Sequence, residues 1–225
     1  MDLTEIIDVA IKYWDIFLEG AWGTLQLSFI TVFLGSLLGI FVSLGKMSKF
    51  KPLSAVCSFY VNLIRGTPML VQLYIFTFFV PQFFTGLKSL NLSDYFYVVF
   101  SLVINSSAYV SEIIRSGIQA VDPGQQEAAK SLGLTDYHAF TKIVLPQAVK
   151  NILPALGNEF ITMIKETSLA STFYINELMR TRTILMSTYF LSWQPLFVVA
   201  IIYFIMTSVL SKGVQLLERR LMLSD

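Results

Sequence analysis

Charge is what this sequence has least of. Asp, Glu, Lys and Arg make up 14% of the chain, where a soluble domain carries about 25%. The 16 basic residues nearly cancel the 15 acidic ones, and no basic block is interleaved with aromatics, so nothing points to nucleic acid. One cysteine, Cys57, excludes an internal disulfide and a CxxC metal site, and one histidine, His138, excludes a histidine cluster. There is no Ser/His/Asp arrangement and no metal-ligand cluster, so neither an enzyme nor a cofactor is expected. The start of the chain is acidic, and its long apolar run begins too late for a cleavable signal peptide. No stretch alternates polar and apolar residues as barrel strands do.

What the chain does have is apolar length. Hydrophobic residues make up 55% and mean hydropathy is +0.65. Charge-free runs cover Gly20–Gly45 (26 residues), Gly66–Leu87 (22) and Thr183–Ser211 (29). A spanning helix needs about 20 residues. The chain therefore reads as an all-α, polytopic membrane helix bundle in a single domain, 1–225, since lipid demands that every backbone group be satisfied internally. Five spans are expected, at about 20–45, 53–84, 95–118, 149–171 and 193–217. The fourth is interrupted by Glu159, Lys165 and Glu166, and a four-span alternative leaves 147–176 as a buried or re-entrant segment.

Basic residues orient the spans. Lys46, Lys49 and Lys51 follow the first, Arg115, Lys130, Lys142 and Lys150 follow the third, and Lys212, Arg219 and Arg220 end the chain. With five spans these ten share one side, against Lys12, Lys88, Arg180 and Arg182 on the other. The richer side is cytoplasmic. The N-terminus is then expected outside and the C-terminus in the cytoplasm.

The longest polar connection, 119–148, contains a short capped helix. Asp122 suits the N-cap, Pro123 the first helical position and Gln125 the third, where it can close a capping box. Gly133 suits a left-handed position just past the end. The helix between, Pro123–Leu132, is about 15 Å long. Alone it is too short to be stable, so it needs a docking surface. Its middle, Glu127-Ala128-Ala129, presents two methyl-sized side chains to a close neighbour. Gly124 to Ser131 comes within one residue of the phosphate-binding pattern GxxxxGK[ST]. Ala129 stands where that pattern needs glycine and no strand precedes it, so nucleotide binding here is not expected.

Polar groups inside the spans are the candidates for a solute path. Arg65 sits at a break, where Gly66 and Pro68 flank Thr67; it either lines the path or reaches the cytoplasmic headgroups. Asn105, Ser106, Ser107, Tyr109 and Glu112 are path groups or interhelical hydrogen bonds, and Glu112 is placed to pair with Arg115. Asn158, Glu159, Lys165, Glu166, Thr167 and Ser168 crowd one stretch. Glu159, Thr162 and Glu166 share a helical face, and exposing it to lipid costs about 2.5–3.5 kcal/mol per charge. That face lines a polar interior, unless Lys165 neutralises Glu159 or Glu166 as a structural pair. Gly35-x-x-x-Gly39 is expected to pack helices.

Glu127-Ala128-Ala129, three residues, Gly133, nine residues and Ile143-x-Leu145-Pro146 resembles the EAA loop of ABC importer permeases. Arg65-Gly66-Thr67-Pro68, Gly124-Gln125 and Lys165-Glu166-Thr167-Ser168-Leu169 are similar to the polar amino acid uptake branch. The resemblance runs from about Gly20 to the end. It implies a permease subunit in the bacterial cytoplasmic membrane, surrounded by lipid and paired with an identical or different second permease. It also implies a cytoplasmic ABC ATPase dimer and an extracytoplasmic amino acid-binding protein. The short helix becomes a coupling helix, with Gly124, Gln125, Glu127, Ala128, Ala129 and Gly133 meeting the ATPase. The solute candidates are Glu159, Thr67, Arg65, Asn158, Thr162, Lys165, Glu166 and Ser168. A carboxylate directly after Asn158 is similar to members that handle cationic amino acids, which implies arginine, lysine or histidine. Two other classes remain as alternatives. An ion-gradient-driven amino acid transporter would want internal repeats, which are not evident, beside carboxylates, which are present. A non-transporting membrane anchor would have no use for so many mid-span charges.

Overall fold

The computed structural model describes residues 3–83 and 92–222. Its elements are α1 (Leu3–Lys12), α2 (Trp14–Lys46), α3 (Lys51–Arg65), α4 (Met69–Phe83), α5 (Asp94–Gln119), α6 (Pro123–Ser131), α7 (Leu145–Glu166), α8 (Leu178–Tyr189) and α9 (Gln194–Met222). No strand occurs among the described residues. The all-α membrane bundle expected from composition is what the chain forms.

Among the described residues three single helices, α2, α5 and α9, are long and apolar enough to cross a membrane. The second expected span is not one straight helix. It is the pair α3 and α4, bent by 107° at Gly66–Pro68, and it counts as a fourth crossing only if both arms serve one passage. Its expected last residue, Phe84, and Lys88 lie outside the described residues. The fourth expected stretch is α7 followed by a 3-10 turn, Thr167–Phe173, and its polar residues keep it from qualifying on composition.

The bundle is inverted relative to a soluble one. Along α2 a stripe of small buried residues, Thr24, Ser28, Thr31, Gly35 and Gly39, recurs at three- and four-residue steps. The large apolar side chains Phe29, Phe33 and Phe41 point outward. Without a hydrophobic drive between helices in lipid, close backbone approach supplies the packing. The stripe faces α5, where a Cβ on Gly35 would come within 2.8 Å of Ser106 Cβ and one on Gly39 within 2.9 Å of Val110 Cβ. The expected Gly-x-x-x-Gly packing role is the observed one.

Two segments use wide turns in which the ladder runs five residues back: Ile75–Phe79 inside α4, and Phe140–Val144 just before α7. Such turns insert one residue into a helix and gather at functional sites. A core of Leu27, Leu73, Val98, Leu102, Met163 and Phe173 joins α2, α4, α5, α7 and the 3-10 turn. At the other end Glu177, fully buried, caps α8 by accepting from the amides of Met179 (2.8 Å) and Arg180 (2.6 Å). It also accepts from the Tyr203 hydroxyl (2.9 Å), tying α8 to α9. Glutamate is not among the preferred capping residues, so nothing in the sequence announces this role of Glu177.

Candidate functional site

The break between α3 and α4 is a built junction. Pro68 has an extended backbone and no amide hydrogen, so α3 ends with carbonyls unsatisfied. Gln72, from the first turn of α4, reaches back and donates to Ile64 O (2.7 Å), Thr67 O (3.0 Å) and Thr67 Oγ1 (2.8 Å). Its own oxygen accepts from Asn105 Nδ2 of α5 at 2.9 Å. One buried amide therefore satisfies the break and anchors it to the next helix. Asn105 was a candidate from sequence; Gln72 was not, since an isolated glutamine in an apolar run carries no motif.

Beside this junction lies a cavity of about 360 Å³, within the range of small-molecule sites. Thr67, Pro68, Met69 and Leu70 form one wall and Asn105 and Tyr109 a second. From α7 come Glu159, Thr162, Met163 and Glu166. The shared face of Glu159, Thr162 and Glu166 thus lines a polar interior. Glu159 is only 8% exposed, and Ser106 Oγ donates to its Oε1 at 3.3 Å. The neutralised alternative does not occur: among the described residues no ion pair joins Lys165 to Glu159 or Glu166.

Four expected solute residues lie elsewhere. Asn158 and Lys165 are exposed on other faces of α7, because one step along a helix turns about 100°. Ser168 donates to Lys165 O at 2.6 Å within its own turn. Arg65 is drawn to Glu112 of α5, which also holds Lys46 and Arg115 (2.8 Å). The expected Glu112–Arg115 pair is present, as the smaller part of a four-residue cluster.

The second candidate region is the elbow around Pro123–Ser131. Asp122 caps α6 by accepting from the amide of Gly124 at 2.8 Å. Gly133 has φ +84°, and its amide donates to Lys130 O (2.9 Å) while that of Leu134 donates to Ala129 O (3.2 Å). These two bonds are the Schellman closure for which a glycine at that position was expected. Lys130 then pairs with Asp136 at 2.6 Å, which holds the Asp136 carboxyl below the usual carboxylate range. One expectation changes: Ala129 is 4% exposed and faces the chain itself, so of the two alanines only Ala128 is presented outward beside Glu127.

A helix bundle with a polar cavity at a broken helix, and a capped helix projecting from its polar side, defines a membrane transport component. The family model "Binding-protein-dependent transport system inner membrane component" matches residues 35–223, and the chain belongs to that family. It is 37% identical over 208 residues to the arginine transport system permease protein ArtQ of Bacillus subtilis (strain 168), covering 92% of this chain and 93% of that protein. It is 38% identical over 206 residues to the putative glutamine transport system permease protein GlnP of Rickettsia bellii (strain RML369-C), with the same coverage of both chains. Its fold superposes with TM-score 0.89 and 46% identity on a chain of the crystal structure of an amino acid ABC transporter with histidines, covering 98% of this chain and 99% of that one. With that family and those relatives, the chain is a permease subunit of the amino acid branch of ABC importers. Nothing in these matches favours an ion-gradient-driven transporter.

Proposed function

We propose that this permease imports a cationic amino acid and that the cavity at the helix break is where the solute is held. The observation that carries the reading is the pair of carboxylates, Glu159 and Glu166, on one cavity wall with no basic residue in the lining. Spare acidic charge in a low-dielectric cavity favours a cation and repels an anion. Asn105, Thr67 and Thr162 can serve the solute's α-amino and carboxylate groups. Relatives named for arginine and for glutamine agree on an amino acid and leave the side chain open.

In this reading α3 and α4 make one broken crossing and α7 with its 3-10 turn another, giving five spans with the N-terminus outside and the C-terminus in the cytoplasm. Two permeases, identical or different, enclose the path, and α6 seats in a cytoplasmic ATPase pair with Glu127 and Ala128 outward. An extracytoplasmic binding protein delivers the amino acid. Closure of the ATPases on ATP turns the bundles outward, and hydrolysis with product release returns them inward.

The test is solute-stimulated ATPase activity in proteoliposomes, wild type against Glu159→Gln, with arginine and with glutamine. Loss of a desolvated charge pair should weaken the apparent affinity for arginine by about 2–5 kcal/mol, while any glutamine stimulation survives. Equal loss for both solutes, or for neither, would remove the case for a cationic side chain.

A further inference from the structure

Glu112 faces more positive charge than one carboxylate can neutralise. Lys46 lies against one oxygen and Arg115 holds the other at 2.8 Å, while Arg65 Nη1 stands 3.6 Å from it. That last separation exceeds the about 2.7–3.2 Å of an N–H···O hydrogen bond, so Arg65 is the loosest of the three. It is also the most open, 43% exposed against 17% for Lys46 and 30% for Arg115. Its guanidinium lies 5.3 Å from the ring centre of Tyr109, and Tyr109 lines the cavity. Arg65 is the last residue of α3, two positions before Thr67 of the cavity wall.

We propose that Arg65 is a tethered counter-ion that exchanges between Glu112 and the Glu159/Glu166 cavity, where it competes with the solute's cationic group. The proposal rests on the cationic reading of the solute given above. Leaving Glu112 costs little, because Lys46 and Arg115 keep that carboxylate paired. Arriving in the cavity is favourable, because two carboxylates in a low-dielectric space repel until a cation comes between them. An incoming arginine displaces the guanidinium toward Glu112, and its departure lets Arg65 return. Arg65 is thus a positioning residue that sets the charge of the cavity and follows the solute out.

The charge of the cavity can be read without knowing the solute. In the assembled transporter, Cys57→Ser removes the native thiol and Thr162→Cys places one in the cavity wall. The readout is the ratio of its reaction rates with aminoethyl and sulfonatoethyl methanethiosulfonate. Arg65→Gln should raise the cationic-to-anionic ratio about tenfold, Glu112→Gln should lower it about threefold by releasing Arg65 into the cavity, and Arg65→Lys should stay within about twofold of the parent. The deciding arm is Glu112→Gln in the Arg65→Gln background, where its effect should vanish because there is nothing left to release. An equal fall in both backgrounds means Glu112 acts by its own charge and Arg65 stays put, which overturns the proposal, as does a ratio indifferent to Arg65→Gln. If Arg65→Gln fails to assemble, Arg65→Met takes its place as the background without the cation, and an undiminished fall with Glu112→Gln there overturns the exchange in the same way. Arginine protection of Thr162→Cys reports the solute separately: ratios that shift as expected without protection leave the exchange standing and the cationic reading rejected.

Discussion

The elbow and the cavity are held together over different lengths of chain. From Asp122 to Leu134 the capping contacts join residues two to five positions apart. The cavity depends on Asn105 with Gln72, 33 positions apart, and Ser106 with Glu159, 53 apart, and the charge cluster outside it on Lys46 with Glu112, 66 apart. The elbow is therefore a local unit that can be damaged locally. The cavity wall is a junction of helices, and a change in one of its buried polar groups is felt by all of them.

The sharpest way to break that contrast is at Gln72. Replacing it with leucine removes the partner of Thr67 O and of the Asn105 amide and leaves Ile64 O with only its long contacts to Thr67, each lost partner costing about 1–3 kcal/mol. We expect Gln72→Leu to lower the thermal midpoint in nanodiscs and to abolish solute-stimulated ATPase together. An unchanged midpoint would mean the break is held by something other than this amide.

Next come the two alanines of α6. Tryptophan at the inward Ala129 overpacks the elbow at about 1–3 kcal/mol, and is expected to lose both elbow order and ATPase co-purification. Tryptophan at the outward Ala128 should lose co-purification alone, with the midpoint retained. If both variants behave alike, the inward and outward assignments are wrong. Gly133→Val asks less: forcing a β-branched residue to a positive φ costs about 1–2 kcal/mol. Hydrogen exchange should speed at the amides of position 133 and Leu134 while α5 stays protected.

The smallest effect is one of pH. The Asp136 carboxyl is held down by Lys130, so its contribution is present above the ordinary carboxylate range and fades as pH falls through the lowered value. Both side chains are largely exposed, so solvent screens the pair. Acid should loosen only the turn carrying Thr135 and His138. Asp136→Asn should already be loose at neutral pH, and a global midpoint that follows this pair would contradict the locality of the elbow.

The same difference in range explains what could be read from sequence. Asp122, Pro123 and Gly133 declare the elbow because their backbone consequences act within a turn or two. The outward faces of α2 and α9 were legible because lipid selects composition directly. Glu159, Thr162 and Glu166 could be read because a helical face can be counted along one segment, and Thr67 because Gly66 and Pro68 beside it mark a break. The nearness of Arg65 to Glu112 was not legible, because Glu112 sits on another helix and no periodicity in α3 announces it. Gln72 and Glu177 were missed for the same reason: each is defined by acceptors and donors that only the fold brings near. The 107° bend needed more than its Gly and Pro, which mark a break without setting an angle.

The wide turn at Phe140–Val144 has a consequence for how this gene can vary. Its ladder spans five residues where an ordinary turn spans four, so it carries one residue more than the α-helical phase requires. One residue is about 100° of rotation. Losing a single codon there would let the helix relax to regular winding with every hydrogen bond made and every side chain of the elbow and of α7 still encoded. Because the wide turn already absorbs its extra residue within about one full turn, the face bearing Glu159 would keep its direction relative to the elbow. The same loss one or two turns later, inside the regular winding of α7, would instead turn the Glu159 face by about 100° against the elbow, so the wide turn marks the one place in this stretch where a codon can be lost without changing that phase.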